Sequence, residues 1–387
     1  METTETCDVL IVGARCAGAA TATWLARDGL NVMVIDAGDY GADTLSTHAL
    51  LRTGVLQLQR LGVLDRVAAE APAIKGSTFH YDDLCIKVLL SPRDGVSALY
   101  APRRTALDRI LVDAARQGGA RVYHKTRLRQ LVKTADGRVV GAVIEDARGS
   151  TRNIQCRYVV GADGRNSAVA TMADAKSITT GQYATAFAYG YFTSETHRPD
   201  TYQWYFNREA VAGLIPSSNG LDCVFVGTSP VYFDGHMRGN VADGFHQALA
   251  MAAPALAQSL AQRKPVERYR GFRGQQGYLR QSAGPGWALV GDAGYFKDPI
   301  TAHGISDALR DSELLARAIQ RGSDAALANY VSTRDALSLN LLQASDTAAR
   351  LNWSRQEWQQ IHRIVSDEIR VECGYLQELS SMQKSAA

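Results

Sequence analysis

Apolar residues along this chain follow two patterns. CDVLIVG, Cys7–Gly13, is a short, nearly continuous run of Val, Leu and Ile, as in a strand buried on both faces. From Cys16 to Asp28 the residues are mostly Ala, Thr, Trp and Leu, predicting a helix packed closely on a sheet and stopped by Gly29. LNVMVID, Leu30–Asp36, predicts the second strand. Strand, tight turn, helix, strand is a βαβ unit, right-handed with parallel strands. Further helices are predicted over Leu51–Leu61 and Ala101–Gly119, the latter with Leu107, Ile110, Leu111 and Ala114 on one face. Between them, residues 77–100 alternate polar and apolar and predict strands of a different sheet. Beyond RVYH, three strand-like segments turn at ADGR (135–138) and ARGS (147–150), a β-meander ending in YVVGADGRNS, Tyr158–Ser167.

Residues 182–230 hold alternating runs rich in aromatics, predicting a mostly antiparallel sheet. A helix around 241–262 and a strand near 266–275 follow, and Trp287–Gln320 returns to strand, loop and helix. From about 324 the pattern is helical. SRQE, Ser354–Glu357, is a capping box, and Trp358, Ile361, Val365, Ile369 and Leu376 form one face of a last helix, read as core or a dimer contact.

At 387 residues the chain exceeds one ordinary domain. Hydrophobic residues make up 46% and charged residues 21%, a globular composition, and the net charge of +3 without basic tracts argues against nucleic acid. The six cysteines form no Cys-x-x-Cys pair, so a metal site is not expected. The acidic start runs straight into a strand, unlike a signal peptide, and no apolar run reaches membrane-spanning length. A cytoplasmic protein without membrane contact is the expectation.

The turn GARCAG, Gly13–Gly18, carries Arg15 where a dinucleotide turn has its middle glycine. An ordinary tight turn is one reading. The strand, the helix and Asp36, placed to accept from a ribose, favour a nucleotide turn.

Two further motifs complete a family pattern. They are GADGRNS, Gly161–Ser167, and GDAGYFKDPITAHG, Gly291–Gly304. With GARCAG and Asp36 they resemble the single-FAD oxidoreductases that share the para-hydroxybenzoate hydroxylase fold, a group related to geranylgeranyl reductases and flavin halogenases. The resemblance implies an α/β protein with α+β elements. It would comprise a glutathione-reductase-type Rossmann FAD-binding domain with a β-meander (1–76, 101–177 and 276–330), an antiparallel-sheet substrate domain (77–100 and 178–275) and a C-terminal helical region (331–387). It implies FAD held by Gly13, Arg15, Ala17, Gly18, Asp36, Ala37, Arg52, Arg104, Leu128, Asp163, Gly291, Asp292, Pro299, Gly304 and Ile305. Arg52 and Arg104 would lie along the phosphates, Asp292 would accept from the ribitol, and the Gly304 and Ile305 amides would face the pyrimidine edge.

The reaction implied is monooxygenation. NADPH or NADH reduces the flavin without a separate nicotinamide domain, or a separate flavin reductase supplies it. A flavin hydroperoxide formed with O2 then passes one oxygen atom to an aromatic or polycyclic small molecule. A reductase or dehydrogenase of the geranylgeranyl reductase type is the alternative. AVAGLIP, Ala210–Pro216, has no tryptophan where halogenases carry Trp-x-Trp-x-Ile-Pro, which disfavours that class. Candidate catalytic residues are His303 and His48, each with the plainer reading of a hydrogen-bonded loop residue. His80, Tyr202 and Tyr205 are candidate substrate contacts, with core packing as their plainer reading. Lys297 and Asp298 read as a solvated turn, and either a monomer or a homodimer is expected.

Overall fold

The βαβ unit forms as its sequence predicts. Thr4–Val12 pairs in parallel with Val32–Asp36, and the helix Cys16–Arg27 connects them. This computed structural model describes residues 4–195 and 198–386. Buried alanines and threonines fill most of the connecting helix, so its backbone lies close to the helix Gly304–Arg321 across the core. The sheet runs Ala283–Gly284, Trp287–Leu289, Thr151–Gly161, Thr4–Val12, Val32–Asp36, Arg121–His124, its five longer-paired strands parallel. The meander Arg127–Lys133, Val139–Glu145 and Thr151–Gly161 attaches to it through the last of these strands, with Gly137 at positive φ in the Asp-Gly turn.

A second sheet of seven strands lies across the molecule. Its order is Arg270–Phe272, Ala186–Thr193, Leu221–Thr228, Val211–Pro216, Tyr202–Phe206, Gly76–Tyr81, Leu84–Leu89. All neighbours are antiparallel except Tyr202–Phe206 with Gly76–Tyr81. The segment 76–89 therefore joins strands more than a hundred positions away, which is why its alternation belongs to a different sheet. One face, with Ala188, Phe192, Val224 and Val226, packs on Phe245, Ala248 and Leu249 of the helix Val241–Ala252. The helix predicted over 241–262 is two helices, because Pro254 lacks the N–H to continue the first and starts Pro254–Leu260. The other face carries Phe187, Tyr189, Trp204 and Phe225 toward the parallel sheet.

Two long helices, Asp324–Ala349 and Arg355–Ala386, finish the chain. The capping box is formed: Ser354 Oγ accepts from the Glu357 amide at 3.4 Å, and the Ser354 amide donates to the Glu357 carboxylate at 2.8 Å. Trp358, Ile361, Val365 and Leu376 are buried within the chain itself. Among the described residues no helix is long and apolar enough to cross a membrane.

Candidate active site

The first motif is built by backbone against backbone. Gly13 has φ +105°, and a Cβ there would stand 2.3 Å from the Ala162 carbonyl oxygen. A Cβ on Gly18 would stand 1.8 Å from the Gly13 carbonyl oxygen. The end of the first strand, the start of its helix and the Ala162–Asp163 loop are thus locked together, with the Ala162 amide donating to the Val12 carbonyl at 2.7 Å. Arg15 sits at φ −86°, an ordinary extended conformation, so no glycine is needed there. Asp36 closes the turn: its two carboxylate oxygens accept from the Ala14 and Gly38 amides, both at 2.7 Å.

A cavity of about 740 Å³ opens from this turn. That volume suits a cofactor or drug-sized ligand. Its wall includes Gly13, Arg15, Ala17, Asp36, Ala37, Arg104, Leu128, Asp163, Asp292, Pro299, Gly304 and Ile305. Arg104 is held by Asp108 at 3.0 Å, and the Cys16 thiol donates to the same carboxylate at 3.2 Å. The Asp163 carboxylate accepts from Ser167 Oγ at 2.5 Å and the Ala168 amide at 2.7 Å, which anchors the second motif. Burial raises the Asp292 carboxyl above its ordinary value, against the opposing pull of Arg165, Lys297 and Arg104.

Two features of this wall fit FAD. The Asp292 side chain reaches the cavity as an acceptor with no protein donor among the described residues. A Cβ on Gly304, at the first turn of an 18-residue helix, would meet nothing within 4 Å, so the amides there border open space. Such a helix end stabilises negative charge.

The opposite part of the wall is aromatic: Phe187, Tyr189, Trp204, Phe206, Phe225 and Phe272 from the second sheet, with Tyr295 and Phe296. His48 lies between the two parts, buried, at φ +69°, its Nε2 hydrogen-bonded to the Tyr191 hydroxyl. Burial first, then Arg104, Arg103 and Arg270, hold its imidazole well below the ordinary value, so the ring is neutral.

A buried charge cluster forms the floor. The His303 Nε2 lies 2.6 Å from the Glu372 carboxylate, which comes from the last helix. Arg310 reaches Asp311 at 2.7 Å, Asp307 at 3.2 Å and Glu372 at 3.3 Å, and Lys297 forms an ion pair with Asp307. Arg334, on the neighbouring helix, pairs with Asp335 at 2.6 Å and adds a longer-range positive field at Asp311. Burial and Arg310 push the Lys297 amine down to about 7. Burial would raise Glu372, but His303 and Arg310 outweigh it and hold the carboxyl down to about 2. Burial lowers His303, against the pull of Glu372. His303, Asp307 and Glu372 are close enough together to ligate a cation, but Lys297 and Arg310 already match the two carboxylates.

Several expectations are corrected. Arg52 is not on the cavity wall; its guanidinium donates to the Ser91 carbonyl at 2.5 Å and the Arg93 carbonyl at 3.3 Å, drawn to a neighbouring loop. Gly18 and Gly291 are also behind the wall: Gly18 packs on Gly13, and a Cβ on Gly291 would stand 2.9 Å from the Ala17 Cβ. Tyr202 is fully buried with its hydroxyl donating to the Leu50 carbonyl at 3.4 Å. Tyr205 and His80 stack at 4.3 Å on the sheet's other face, and His80 bonds Gln203 at 2.9 Å. Strand alternation explains the miss, since Trp204 and Phe206 point into the cavity and Tyr205 points away. Lys297 and Asp298 are buried, not a solvated turn, because Asp298 accepts from the Thr185 amide at 2.6 Å and Lys297 pairs with Asp307. Glu372 and Asp307 escaped the sequence reading altogether. Their only sign was a carboxylate on the apolar face of a helix.

Known proteins share this architecture. A flavin-dependent brominase, Bmp2, in a triple-mutant structure, superimposes with a TM-score of 0.80 at 18% identity, covering 98% of this chain and all of its own. PqsL of P. aeruginosa in complex with 2-aminobenzoylacetate gives 0.79 at 20% identity over 93% of this chain and all of its own. In sequence, the menaquinone reductase of Mycolicibacterium smegmatis is 25% identical over 81% of this chain and 76% of its own length. The ubiquinone hydroxylase UbiL of Rhodospirillum rubrum is 27% identical over 89% and 81%. The family model described as FAD binding domain matches residues 6–345. The chain belongs to this FAD-binding family and is a FAD-dependent oxidoreductase.

Proposed function

We propose that the protein is a monooxygenase that places one oxygen atom of O2 on an aromatic or polycyclic small molecule, with electrons from NADH or NADPH delivered directly or by a separate flavin reductase. The observation that carries this reading is a single cavity with the nucleotide turn at one end and an aromatic wall at the other. FAD, when bound, supplies the electron transfer and oxygen activation. The chain's own residues orient and shield. Gly13, Arg15 and the amides after them would receive the pyrophosphate, with Arg104 nearby and Asp36 and Ala37 at the ribose. Ala17, Leu128, Asp163 and Pro299 would line the rest of the cofactor. Asp292 would accept from the ribitol, and the Gly304 and Ile305 amides would meet the pyrimidine edge. Trp204, Phe206, Phe187 and Phe225 would take the flat substrate and exclude water, in place of His80, Tyr202 and Tyr205.

A reductase reading has support of its own. Menaquinone reductase and digeranylgeranylglycerophospholipid reductases stand among the relatives at identities close to that of the hydroxylase. One experiment separates the two: turnover with labelled dioxygen and NAD(P)H against a panel of aromatic compounds and quinones. Monooxygenation adds one labelled oxygen to the product and stops without O2. Conversion that persists without O2, changing only the hydrogen count, overturns it in favour of the reductase.

A further inference from the structure

We propose that Cys7 and Cys156 are a redox pair whose two thiols hydrogen peroxide converts into a disulfide, joining the first strand of the chain to the strand that ends in the second motif. Neither cysteine belongs to the cavity wall, and the inference does not depend on which reaction the cavity carries out.

The two cysteines are direct partners in the parallel ladder of Thr4–Val12 with Thr151–Gly161. Neighbouring strands stand about 4.8 Å apart, and a disulfide needs its two Cα atoms about 4.4–6.8 Å apart, so the backbone already meets that requirement. Both side chains join one apolar cluster with Leu10, Met33 and Ile154, so they leave the sheet on the same face. The Cys156 thiol donates a hydrogen bond to the Cys7 sulfur, which brings the reacting atoms together. Among the described residues no other two cysteines are ladder partners.

Cysteine also packs as a small apolar residue, so two core thiols alone prove nothing. The surroundings of Cys7 are not those of mere filling. The hydrogen bond from Cys156 lowers its thiol below the ordinary value; burial opposes this and Arg121 supports it. Arg121 is fixed nearby, its guanidinium donating to the Thr6 carbonyl at 3.2 Å. The same hydrogen bond, with burial, raises Cys156 instead. One sulfur is therefore disposed to ionise and attack, and the other to keep its proton until the second step. Neither is sealed in: Cys7 is 8% and Cys156 7% exposed, whereas Leu10 and Val159 beside them are at 0%.

The Cys7 thiolate attacks one peroxide oxygen and the O–O bond breaks. The departing hydroxide takes up the proton the thiol had released and leaves as water, and Cys7 becomes a sulfenic acid. The Cys156 sulfur then displaces that hydroxyl as a second water, giving up its own proton. Two thiols and one peroxide become one disulfide and two waters; each sulfur loses one electron and the peroxide gains both. The bridge joins the same two strands whose ends interlock at Gly13 and Ala162.

The test uses the full FAD-loaded chain, a modest molar excess of hydrogen peroxide, thiol alkylation and peptide mapping without reductant. The chain should lose the mass of two hydrogens and yield one linked peptide pair, Cys7 with Cys156, which dithiothreitol returns to free thiols. Cys156→Ala should leave Cys7 as a sulfenic acid that dimedone labels about 10-fold or more strongly than in the wild type, since nothing resolves it. Cys7→Ala should slow the oxidation of Cys156 about 10-fold or more. The wild-type map needs no variant to fold. Free thiols at Cys7 and Cys156 once peroxide has oxidised the exposed Cys85 overturn the proposal. So does Cys7 carried to a sulfinic acid in the wild type with no link to Cys156, or Cys156 oxidised equally fast without Cys7. No step involves a substrate, so failure of oxygen incorporation and failure of the disulfide are separate results.

Discussion

The two ends of the cavity are held in shape by different forces. At the nucleotide turn the contacts are backbone against backbone, and the space left for a side chain on Gly13 or Gly18 is smaller than any atom. At the far end, beneath the aromatic wall, space is not the limit. Lys297 and Arg310 are set against Asp307, Asp311 and Glu372 away from water, and Arg310 is shared by all three carboxylates. One end is therefore sensitive to added volume and the other to removed charge. Substitutions that keep the volume and change the charge, or the reverse, should separate the two.

The largest effect is expected at the charged end. Arg310→Met keeps the bulk and deletes the cation shared by Asp307, Asp311 and Glu372, and should cost about 3–5 kcal/mol in stability measured by urea unfolding. A loss below about 1 kcal/mol would mean that the cluster is solvated and the comparison is wrong. Gly13→Val makes the opposite change, adding volume with no charge. Left-handed backbone and the contact with Ala162 together should cost about 2–4 kcal/mol, and flavin absorbance should show FAD lost on purification. Full FAD occupancy in that variant would place the turn elsewhere.

Smaller changes sharpen the contrast. Asp36→Ala should weaken FAD by about 1.5–3 kcal/mol, as for a hydrogen bond involving a charged group, read by titration of the apoprotein. An unchanged dissociation constant would remove Asp36 from the ribose. Asp298, beside Lys297 in the chain, offers a pH test of burial itself, because burial pushes its carboxyl up to about 7 despite the bonds from Thr185 and Ile300. A carboxyl that titrates higher when folded binds more protons folded than unfolded, so its contribution is fully present below about pH 4 and declines as pH rises toward 7. Asp298→Asn should flatten this part of the stability profile by roughly 1 kcal/mol or more. An identical slope in both proteins would show that the group titrates normally. Arg52→Ala should change FAD affinity least, by less than about 0.5 kcal/mol, since its guanidinium serves a loop. A large, salt-sensitive loss there would return Arg52 to the phosphates.

The same division explains what a reader of the sequence can see. The βαβ unit, the meander, the capping box and the three motifs are local: each is written in consecutive residues whose spacing sets their geometry. Most of the cavity wall near the nucleotide turn is accordingly legible, from Gly13 to Ile305; Gly18 and Gly291 are exceptions because close packing puts them behind it, and Arg52 because helix position alone does not say where a long side chain reaches. The aromatic wall is legible as a composition but not as a register. Tyr202, Trp204 and Phe206 share one face while Tyr205 takes the other, and only pairing with Gly76–Tyr81 decides which face meets the cavity. The charge cluster is the least legible part. Lys297 reads as solvated because nothing near it in sequence supplies Asp307 across the helix turn or Glu372 from the last helix.

Glu372 stands 69 positions from His303, on a separate helix. Until that helix docks, Lys297 and Arg310 face an incomplete set of carboxylates, which favours keeping the region open to water. Docking of the helix and drying of the cavity floor are therefore one cooperative step, and any change that loosens the helix wets the floor as well.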